Sequence, residues 1–484
     1  MTLAVILVPL IAALLLPLLG GLGRIVALGA AIATFVLALR LPSAEAVNLP
    51  WLPDLGVTFS LSGHGAATVL VAAAALAMIG AVWYGGFRVT HRTSVFLALL
   101  LAMQAFLNGI FLAKDLVIFY VFWEATLIPS LIMLGVWGGS AKRAAVMKYL
   151  VYAMGGSLLM LVGIIALKVT SGATGFHFDE LVAAGASLDL NTQLLIFAAF
   201  AVAFAVKLPL VPVHSWLIDF HEQNHPSGVA DVAGTLYKVG AFGFFAWAIP
   251  LLPAAAEAAA PLLLALAAIT ALYGGVVAVA QTDLKRLLAY ASLSHMGIIG
   301  VGVFSLQPEG MTGGMLLLAA QMVSTSALFI LAGMLGERRG TFELSAYGGL
   351  ARSAPFLASI MLFSIFASIG VPGLGNFPGE FLSLLGAWLH TPGWAIVATL
   401  TIIAAGIYGV NLYQRMFQGR EQLPAPDLSF REAITLLPFV AGILWFGIAP
   451  AAAVSNIELQ TRAGTEQAIT QPTEPLAGTM EDSQ

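Results

Sequence analysis

The chain contains no cysteine among its 484 residues, and charged residues make up only 9% of it. The lack of cysteine excludes disulfides, thiolate metal sites, thiol catalysis and cysteine-ligated clusters. The share of charge is far below the roughly 25% that is usual in soluble domains, whereas 60% of the residues are hydrophobic. No long basic face is present, so nucleic-acid binding is not expected. This composition indicates a protein of the lipid bilayer.

Apolar segments of spanning length recur along the chain, and they are too long to be strands of a membrane barrel. Because lipid cannot satisfy free backbone polar groups, we expect an all-α polytopic membrane protein. The first apolar run lacks the basic region and cleavage site of a signal peptide, so we expect it to remain as a span. The fourteen predicted spans lie near residues 2–21, 24–41, 66–85, 94–113, 115–138, 144–168, 192–216, 227–250, 260–281, 286–306, 311–335, 353–390, 394–418 and 430–454.

Lysines and arginines are distributed unevenly between the loops. Loops after odd-numbered spans hold fourteen of them, and the opposite loops hold four. Positive loops stay inside, so the sequence predicts the Lys142–Arg143 loop in the cytoplasm and both termini outside. The helical bundle is expected to fill residues 1–455. The polar segment 456–484 is predicted to be a disordered tail.

Two of the predicted spans are interrupted by proline and glycine. Span seven breaks at LPLVP (208–212), and span twelve breaks at GVPGLGNFPGEF (370–381). The two spans are five apart and therefore cross the membrane in opposite directions. Broken helices of opposite direction are typical of inverted repeats with sites at the breaks. We therefore predict two inverted five-helix repeats, formed by spans four to eight (about 94–250) and nine to thirteen (about 260–418).

Five ionisable side chains lie deep within spans, around these breaks. Each buried lysine costs roughly 2.5–3.5 kcal/mol on insertion, so a chain that only needed to cross the bilayer would not keep it. Alternating carboxylate, amine and imidazole groups are what a proton relay requires, and Glu124 is expected to pair with Lys207. The alternative is that these groups only hold helices together through ion pairs and hydrogen bonds. The five residues are Glu124, Lys207, Lys238, His295 and Glu380.

The corner between spans seven and eight carries a further motif, HEQNH at 221–225, which is formally an HExxH sequence. On a continuous helix its histidines would bind one zinc ion and its glutamate would act as a general base, so an intramembrane zinc metalloprotease is a remote alternative. However, Pro226 follows at once, and no convincing third ligand appears downstream. We favour a metal-free polar lining, an entrance for protons from the cytoplasmic side. The residues of this predicted entrance are His214, His221, His225 and Asp231.

These motifs resemble those of the antiporter-like subunits of respiratory complex I, most closely the NuoM type. Glu380 favours the M type, because the L- and N-type relatives resemble each other in carrying lysine there. The short tail also argues against the L type, which adds a long lateral helix. The resemblance runs through about 120–390, in FWE (122–124), VWGG (136–139), GGSL (155–158), KLPLVPVHSWLIDFH (207–221), GTLYKVGAFGFF (234–245), DLKRLLAYASLSHMG (283–297) and GLGNFPGEF (373–381).

The resemblance implies proton translocation driven by quinone reduction elsewhere in a NADH:quinone oxidoreductase, with no cofactor and no redox chemistry in this chain. It implies that Glu124 pairs with Lys207, whose state is switched by a neighbouring subunit. Lys238 would be the central carrier, His295 the bridge and Glu380 the exit group. L-type and N-type antiporter-like subunits would be the neighbours of the chain in the membrane arm.

One residue departs from the family pattern. Some members carry a histidine in span eleven, where this chain has Gln321. Glutamine can hold a water molecule but cannot carry the proton itself, so a water-based route between His295 and Glu380 is expected. Membrane-bound hydrogenases and multisubunit sodium/proton antiporters use similar subunits, and the sequence leaves these hosts, and sodium as a substrate, open.

Overall fold

The computed structural model describes residues 1–236 and 239–469. Within these residues, eleven helices are long and apolar enough to cross a membrane. Three shorter apolar helices, Ala4–Leu18, Gly240–Leu251 and Pro355–Ser368, accompany them. The all-α polytopic bundle of about fourteen spans is therefore confirmed.

The helices agree closely with the predicted spans, and most boundaries differ by only a few residues. Those of the first half are α1 (Ala4–Leu15), α2 (Gly23–Ala38), α3 (Ala66–Arg88), α4 (Thr93–Leu112), α5 (Leu116–Ala125), α6 (Leu127–Trp137), α7 (Lys142–Ser171), α8 (Phe178–Ala186), α9 (Leu190–Lys207), α10 (Ser215–Gln223), α11 (Val229–Leu236), α12 (Gly240–Gly243) and α13 (Ile249–Leu251). Those of the second half are α14 (Pro253–Val279), α15 (Leu284–Phe304), α16 (Pro308–Arg339), α17 (Pro355–Ser368), α18 (Asn376–His390), α19 (Pro392–Phe417), α20 (Phe430–Ile448) and α21 (Ala451–Ile469).

The centre of the bundle is formed by α15 and α16. The most apolar stretch of α16 is entirely buried, and that of α15 is 94% buried. By contrast, only 39% of the corresponding stretch of α7 is buried. Its exposed side chains Val151, Leu158, Val162 and Ile165 recur at helical spacing and form an apolar stripe along the outside. Such a stripe fits a surface that faces lipid, whereas α15 and α16 face only protein.

The two broken spans satisfy some of their free backbone groups within the protein. Where α9 ends, the Trp216 indole donates to the Val206 carbonyl at 2.9 Å, and the Val211 N–H donates to the Thr270 hydroxyl at 2.9 Å. Between α17 and α18, the Asn376 side-chain amide donates to the Ser368 carbonyl at 3.0 Å. Irregular backbone is tolerated at membrane depth only when it is buried in protein or lines a wet cavity. These hydrogen bonds satisfy part of the backbone of each break within the protein, while Pro212 in the first break and Pro372 and Gly373 in the second remain exposed.

A pair of matching backbone contacts identifies the repeat relationship. Asp115 caps the start of α5 and Asp283 caps the start of α15, each through its side-chain carboxylate. The Leu116 N–H donates to the Phe176 carbonyl at 3.0 Å, and the Leu284 N–H donates to the Phe342 carbonyl at 2.9 Å. The corresponding spans are five and ten, which run in opposite directions. The same local device thus occurs once in each half, at opposite ends of the bundle.

Several elements were not predicted. An antiparallel hairpin of β1 (Val47–Leu52) and β2 (Val57–Leu61) joins α2 to α3, and the short helix α8 lies in the loop before α9. Span eight also contains an irregularity, a π-helical turn that covers Phe244–Ala248. No periodicity argument detects such short interruptions in a uniformly apolar segment.

The predicted disordered tail is wrong for residues 456–469, which continue helix α21. Ala453, Ile457 and Thr461 lie four residues apart and are buried, so the helix has one face that packs against α16 and α3. Gln460 accepts a hydrogen bond from the Ala66 N–H at 3.0 Å. The segment is polar overall, but this narrow buried stripe is enough to anchor it. Residues 470–484 lie outside the described part of the chain.

Candidate functional site

The Lys207 ammonium lies at the end of α9 and is 4% exposed. It donates to the Trp123 carbonyl at 3.2 Å and to the Thr126 hydroxyl at 3.0 Å. It also lies 4.1 Å from the centre of the Trp123 ring, which attracts a cation through its negative face. The break between α5 and α6, at Thr126, exposes the carbonyl that receives the lysine. Uncharged groups of a single helical turn therefore hold the buried cation.

The predicted direct ion pair between Glu124 and Lys207 is not formed. Glu124 is half-buried, and its carboxylate is not within 4.0 Å of the ammonium, although it remains close enough to act on it electrostatically. The two residues do belong to the same site, because the groups that hold Lys207 flank Glu124 on both sides in the sequence. The interaction between them is through space, so it can strengthen or weaken with small movements.

Lys238 lies outside the described residues, and the described part of span eight resumes at Val239. Gly240 packs so closely against the end of α9 that a side chain there would overlap the Phe204 carbonyl and the Leu208 N–H. Gly243 packs in the same way against the Phe204 ring. Span eight therefore passes directly beside the turn that carries Lys207, two residues after Lys238 in the sequence.

His295 and Glu380 form the second site, where α15 meets the start of α18. The imidazole Nδ1 lies 3.2 Å from the Glu380 carboxylate, and the two residues are 4% and 8% exposed. The other ring nitrogen, Nε2, faces the Ser368 hydroxyl at 3.3 Å and the Tyr408 hydroxyl at 3.2 Å. The Glu380 oxygen nearest to Nδ1 accepts no hydrogen bond in this arrangement, so the two groups are close but not hydrogen-bonded. A ring with Nε2 unprotonated can accept a hydrogen bond from either hydroxyl.

Two further features fix the position of Glu380. Gly370 has a φ of +75°, and a side chain there would overlap the carboxylate. A small cavity of about 10 Å³, bordered by Glu380, Thr401 and Ala405, opens toward α19 and can hold about one water molecule. His295 also borders this cavity, so the cavity lies beside the contact between the two groups.

The structure brings His295 and Glu380 to within 3.2 Å of each other without forming a hydrogen bond between them, so the expected water-based route stays a prediction. Gln321 is buried within α16 and accepts a hydrogen bond from the Thr325 hydroxyl. It is not part of the contact between His295 and Glu380.

A third group of polar residues joins the corner between α10 and α11 to the start of α15. We call His221, Asn224, Asp231 and Lys285 the corner cluster; each is at most 3% exposed. One oxygen of Asp231 lies 2.9 Å from His221 Nδ1 and 3.2 Å from the Asn224 side-chain nitrogen. The other oxygen lies 3.0 Å from the Lys285 ammonium, which also donates to the Asn224 carbonyl at 3.0 Å. The cluster thus contains a buried ion pair between the two halves of the chain.

The zinc alternative finds no support in the geometry. Helix α10 ends at Gln223 and the backbone of Asn224 is extended, so the two histidines of the motif are not on one continuous helix. Glu222 is paired with Arg286, and His221 faces Asp231. Among the described residues no group of three histidines or carboxylates could hold a metal ion.

His225 lies one residue beyond Asn224 and is hydrogen-bonded to Ser227. Its Nδ1 accepts a hydrogen bond from the Ser227 N–H at 3.2 Å and lies 2.8 Å from the Ser227 hydroxyl. Burial and the nearby Lys285 ammonium lower the pKa of the His225 imidazole to about 4. His225 is therefore neutral at physiological pH. His214 lies apart from the corner cluster, with its ring in edge-to-face contact with Tyr273.

Sequence reasoning missed several members of these sites. Lys285 lies one residue before the predicted span at 286–306, where a lysine is ordinarily a loop charge, but in the structure it is the second residue of α15. Thr126, Ser368 and Tyr408 carry hydroxyls of a kind that is common in apolar helices, so no sequence signal separates them from ordinary residues. Their roles follow only from the groups that they face.

The fold and the sites define a class: an antiporter-like membrane protein with two inverted halves, a broken span in each, and buried ionisable groups at the breaks. The model of the family described as "NADH:quinone oxidoreductase/Mrp antiporter, TM" matches residues 113–405. The match covers more than half of the chain, and the chain belongs to this family. The family resemblance expected from the motifs is confirmed.

Individual relatives support the assignment over most of the chain. NADH-quinone oxidoreductase subunit 13 of Thermus thermophilus is 44% identical over 407 residues, which cover 84% of this chain and 85% of the relative. Subunit M of Rhodobacter capsulatus is 34% identical over 450 residues, which cover 88% and 87%. A chain in the structure of respiratory complex I from Thermus thermophilus with bound NADH is 42% identical, with a TM-score of 0.92 over 96% of this chain and 99% of that one.

Proposed function

We propose that this chain is the M-type proton-translocating subunit in the membrane arm of a bacterial NADH:quinone oxidoreductase. The identity to subunits 13 and M over most of their length supports this host rather than a hydrogenase or a sodium/proton antiporter. NADH oxidation and quinone reduction belong to other subunits, and this chain contributes no redox step. Its neighbours are the L- and N-type antiporter-like subunits, and both its termini lie outside the cytoplasm.

The second half of the relay passes a proton through the ring of His295. A proton that arrives at Nε2, on the side of Ser368 and Tyr408, makes the ring an imidazolium. The proton on Nδ1 then moves to the Glu380 carboxylate 3.2 Å away, and the ring returns to its neutral form. Glu380 releases the proton into the cavity toward α19. This contact between His295 and Glu380 is the single observation that most favours proton transfer.

The first half of the chain controls when the relay carries a proton. The Lys207 ammonium is held only by uncharged groups of α5 and α6, and Glu124 acts on it from a distance. When a neighbouring subunit strengthens or weakens that interaction, Lys207 gains or loses its charge. Span eight passes beside the same turn at Gly240, and Lys238 is the proposed carrier of the proton between the halves. Like charges disfavour each other's charged forms, so charging Lys207 favours release of the proton from Lys238.

The alternative, in which these residues only hold helices together, makes a different prediction for Lys238. In Lys238→Ala, a titrating group is removed without adding a buried unpaired charge. We expect the complex to assemble and to oxidise NADH while the number of protons translocated per NADH falls in proteoliposomes. A Lys238→Ala complex with the wild-type ratio of protons to NADH would rule out the relay through this residue.

A further inference from the structure

The corner cluster contains one carboxylate that faces two basic groups. Asp231 receives the Lys285 ammonium on one oxygen and the His221 imidazole on the other. Its carboxylate only accepts hydrogen bonds, so Nδ1 of His221 carries a proton even when the ring is neutral. With His221 neutral, the ion pair of Asp231 and Lys285 leaves the cluster without net charge. A second proton on His221 places two cations against one carboxylate.

We propose that His221 takes up the proton at the cytoplasmic entrance, and that Lys285 is the positioning residue that prevents this proton from being trapped there. The inference rests on the proposed function, and it adds a residue and a role to it. An incoming proton binds Nε2 of His221, since Nδ1 is held toward Asp231. The surplus positive charge that results favours release of the proton inward, toward Lys238. Once it has left, the cluster is neutral and can load again.

The other charged groups around the cluster do not replace this arrangement. Glu222 and Arg286 neutralise each other at its more exposed edge, and on the far side of α10 Asp219 pairs with Lys148 of α7 at 2.8 Å. His225 is neutral, as its hydrogen bond from Ser227 requires. From α16 the uncharged ring of Phe329 stacks on His221, with ring centres 4.4 Å apart.

The chain offers a matched control for Lys285. Two ion pairs connect the corner to the first turn of α15: the buried pair of Asp231 and Lys285, and the half-exposed pair of Glu222 and Arg286. Both join the same two parts of the fold. Only the first shares its carboxylate with His221, so only its loss changes how tightly His221 holds a proton.

The test measures NADH-driven proton uptake by the whole complex in proteoliposomes as a function of the pH of the bath. External NADH drives only complexes whose NADH site faces the bath. In Lys285→Met the protonated His221 ring is the one cation of the corner cluster that faces the Asp231 carboxylate, so the proton leaves His221 only at higher pH. We expect the acidic limb of the profile to move upward by about one pH unit or more. Lys285→Arg should restore the profile, and Arg286→Met should leave its position unchanged.

A uniform loss of uptake at every pH in Lys285→Met, or the same profile as in Arg286→Met, would overturn the inference. If Lys285→Met does not assemble, His221→Gln decides the matter, because it keeps the ion pair of Asp231 and Lys285. We expect uptake in His221→Gln to fall at least about tenfold, and wild-type uptake would contradict the proposal. Lys238→Ala is measured beside these variants. If only Lys238→Ala is defective, the inference about His221 and Lys285 is wrong and the proposed function stands. Normal pumping by Lys238→Ala counts against the proposed function itself.

Discussion

His295 touches Glu380 across the join between α15 and α18, with 3.2 Å between imidazole Nδ1 and the carboxylate. The contact is possible only because span twelve is broken immediately before α18, which turns the start of that helix toward the centre of the bundle. The carboxylate oxygen nearest to Nδ1 has no hydrogen-bond partner, so proton transfer requires a small realignment of the two groups or one bridging water molecule. Its direction depends on which of them is the stronger base at each moment.

Gly370→Ala tests whether this contact matters. The added methyl group would overlap the Glu380 carboxylate and displace it from His295. A displacement of about 1 Å can slow a transfer on the order of a hundredfold, so we expect the number of protons translocated per NADH to fall as far as in Glu380→Gln. The measurement is proton uptake against NADH oxidation in proteoliposomes.

Gly373→Ala is the matched control, because its φ is +88° and no atom lies within 4 Å of the added methyl group. Both variants carry the strain of a left-handed residue, about 1–2 kcal/mol. Only Gly370→Ala should lose pumping. An equal loss in both would show that backbone strain, not displacement of the carboxylate, is responsible.

Glu124→Gln is expected to assemble normally, because Glu124 is half-buried and makes no direct ion pair with Lys207. If Glu124 controls Lys207 through space, its loss should weaken the coupling, which for such interactions changes an equilibrium roughly 5- to 150-fold. We therefore expect assembled complex with a lowered ratio of protons to NADH. Glu257→Gln, at an exposed carboxylate on α14, serves as the control and should pump normally.

The double variant Glu124→Gln/Lys207→Met distinguishes a role of these two residues in controlling the relay from a role in holding the helices together. Neutral replacement of both members of a buried charged pair is often tolerated, so both interpretations predict assembly. The structural interpretation predicts normal pumping, and the relay predicts none through this subunit. Wild-type pumping by the double variant would show that the charges at this site only stabilise the bundle.

Orientation can be tested by cysteine labelling, since the chain has no native cysteine. Arg143 lies in the first turn of α7, and Asp179 lies in α8, beyond the opposite end of α7; both are exposed. In intact cells, an impermeant thiol reagent should label a cysteine at position 179 and not one at 143. The reverse pattern would invert the proposed topology and place both termini in the cytoplasm.

Much of this architecture could be predicted from the sequence, because lipid imposes strong rules on it. Fourteen apolar segments and the two proline- and glycine-rich breaks are properties of composition, and they define the spans almost to their ends. The polar stretch 456–469 could not be assigned, since its buried stripe of Ala453, Ile457 and Thr461 depends on the surfaces of α16 and α3. The hairpin of β1 and β2 depends likewise on contacts that are distant in the sequence.

The site was predictable in its residue types but not in its pairings. The free-energy cost of burying an ionisable side chain in a membrane span is enough to mark Lys207, His295 and Glu380 as unusual. Which groups they touch depends on how helices rotate against each other: Lys207 turns to Thr126 rather than to Glu124. Lys285 was hidden by its position near a helix start, where a lysine is ordinarily an exposed loop charge.

The most direct test of the relay is the number of protons translocated per NADH by a Glu380→Gln complex in proteoliposomes. Glutamine keeps the shape of the side chain and adds no buried charge, so the complex should assemble and oxidise NADH. We expect its ratio of protons to NADH to fall clearly below that of the wild type. Glu309→Gln, at an exposed carboxylate on α16, should keep the wild-type ratio. A Glu380→Gln complex that translocates as many protons per NADH as the wild type would contradict the account.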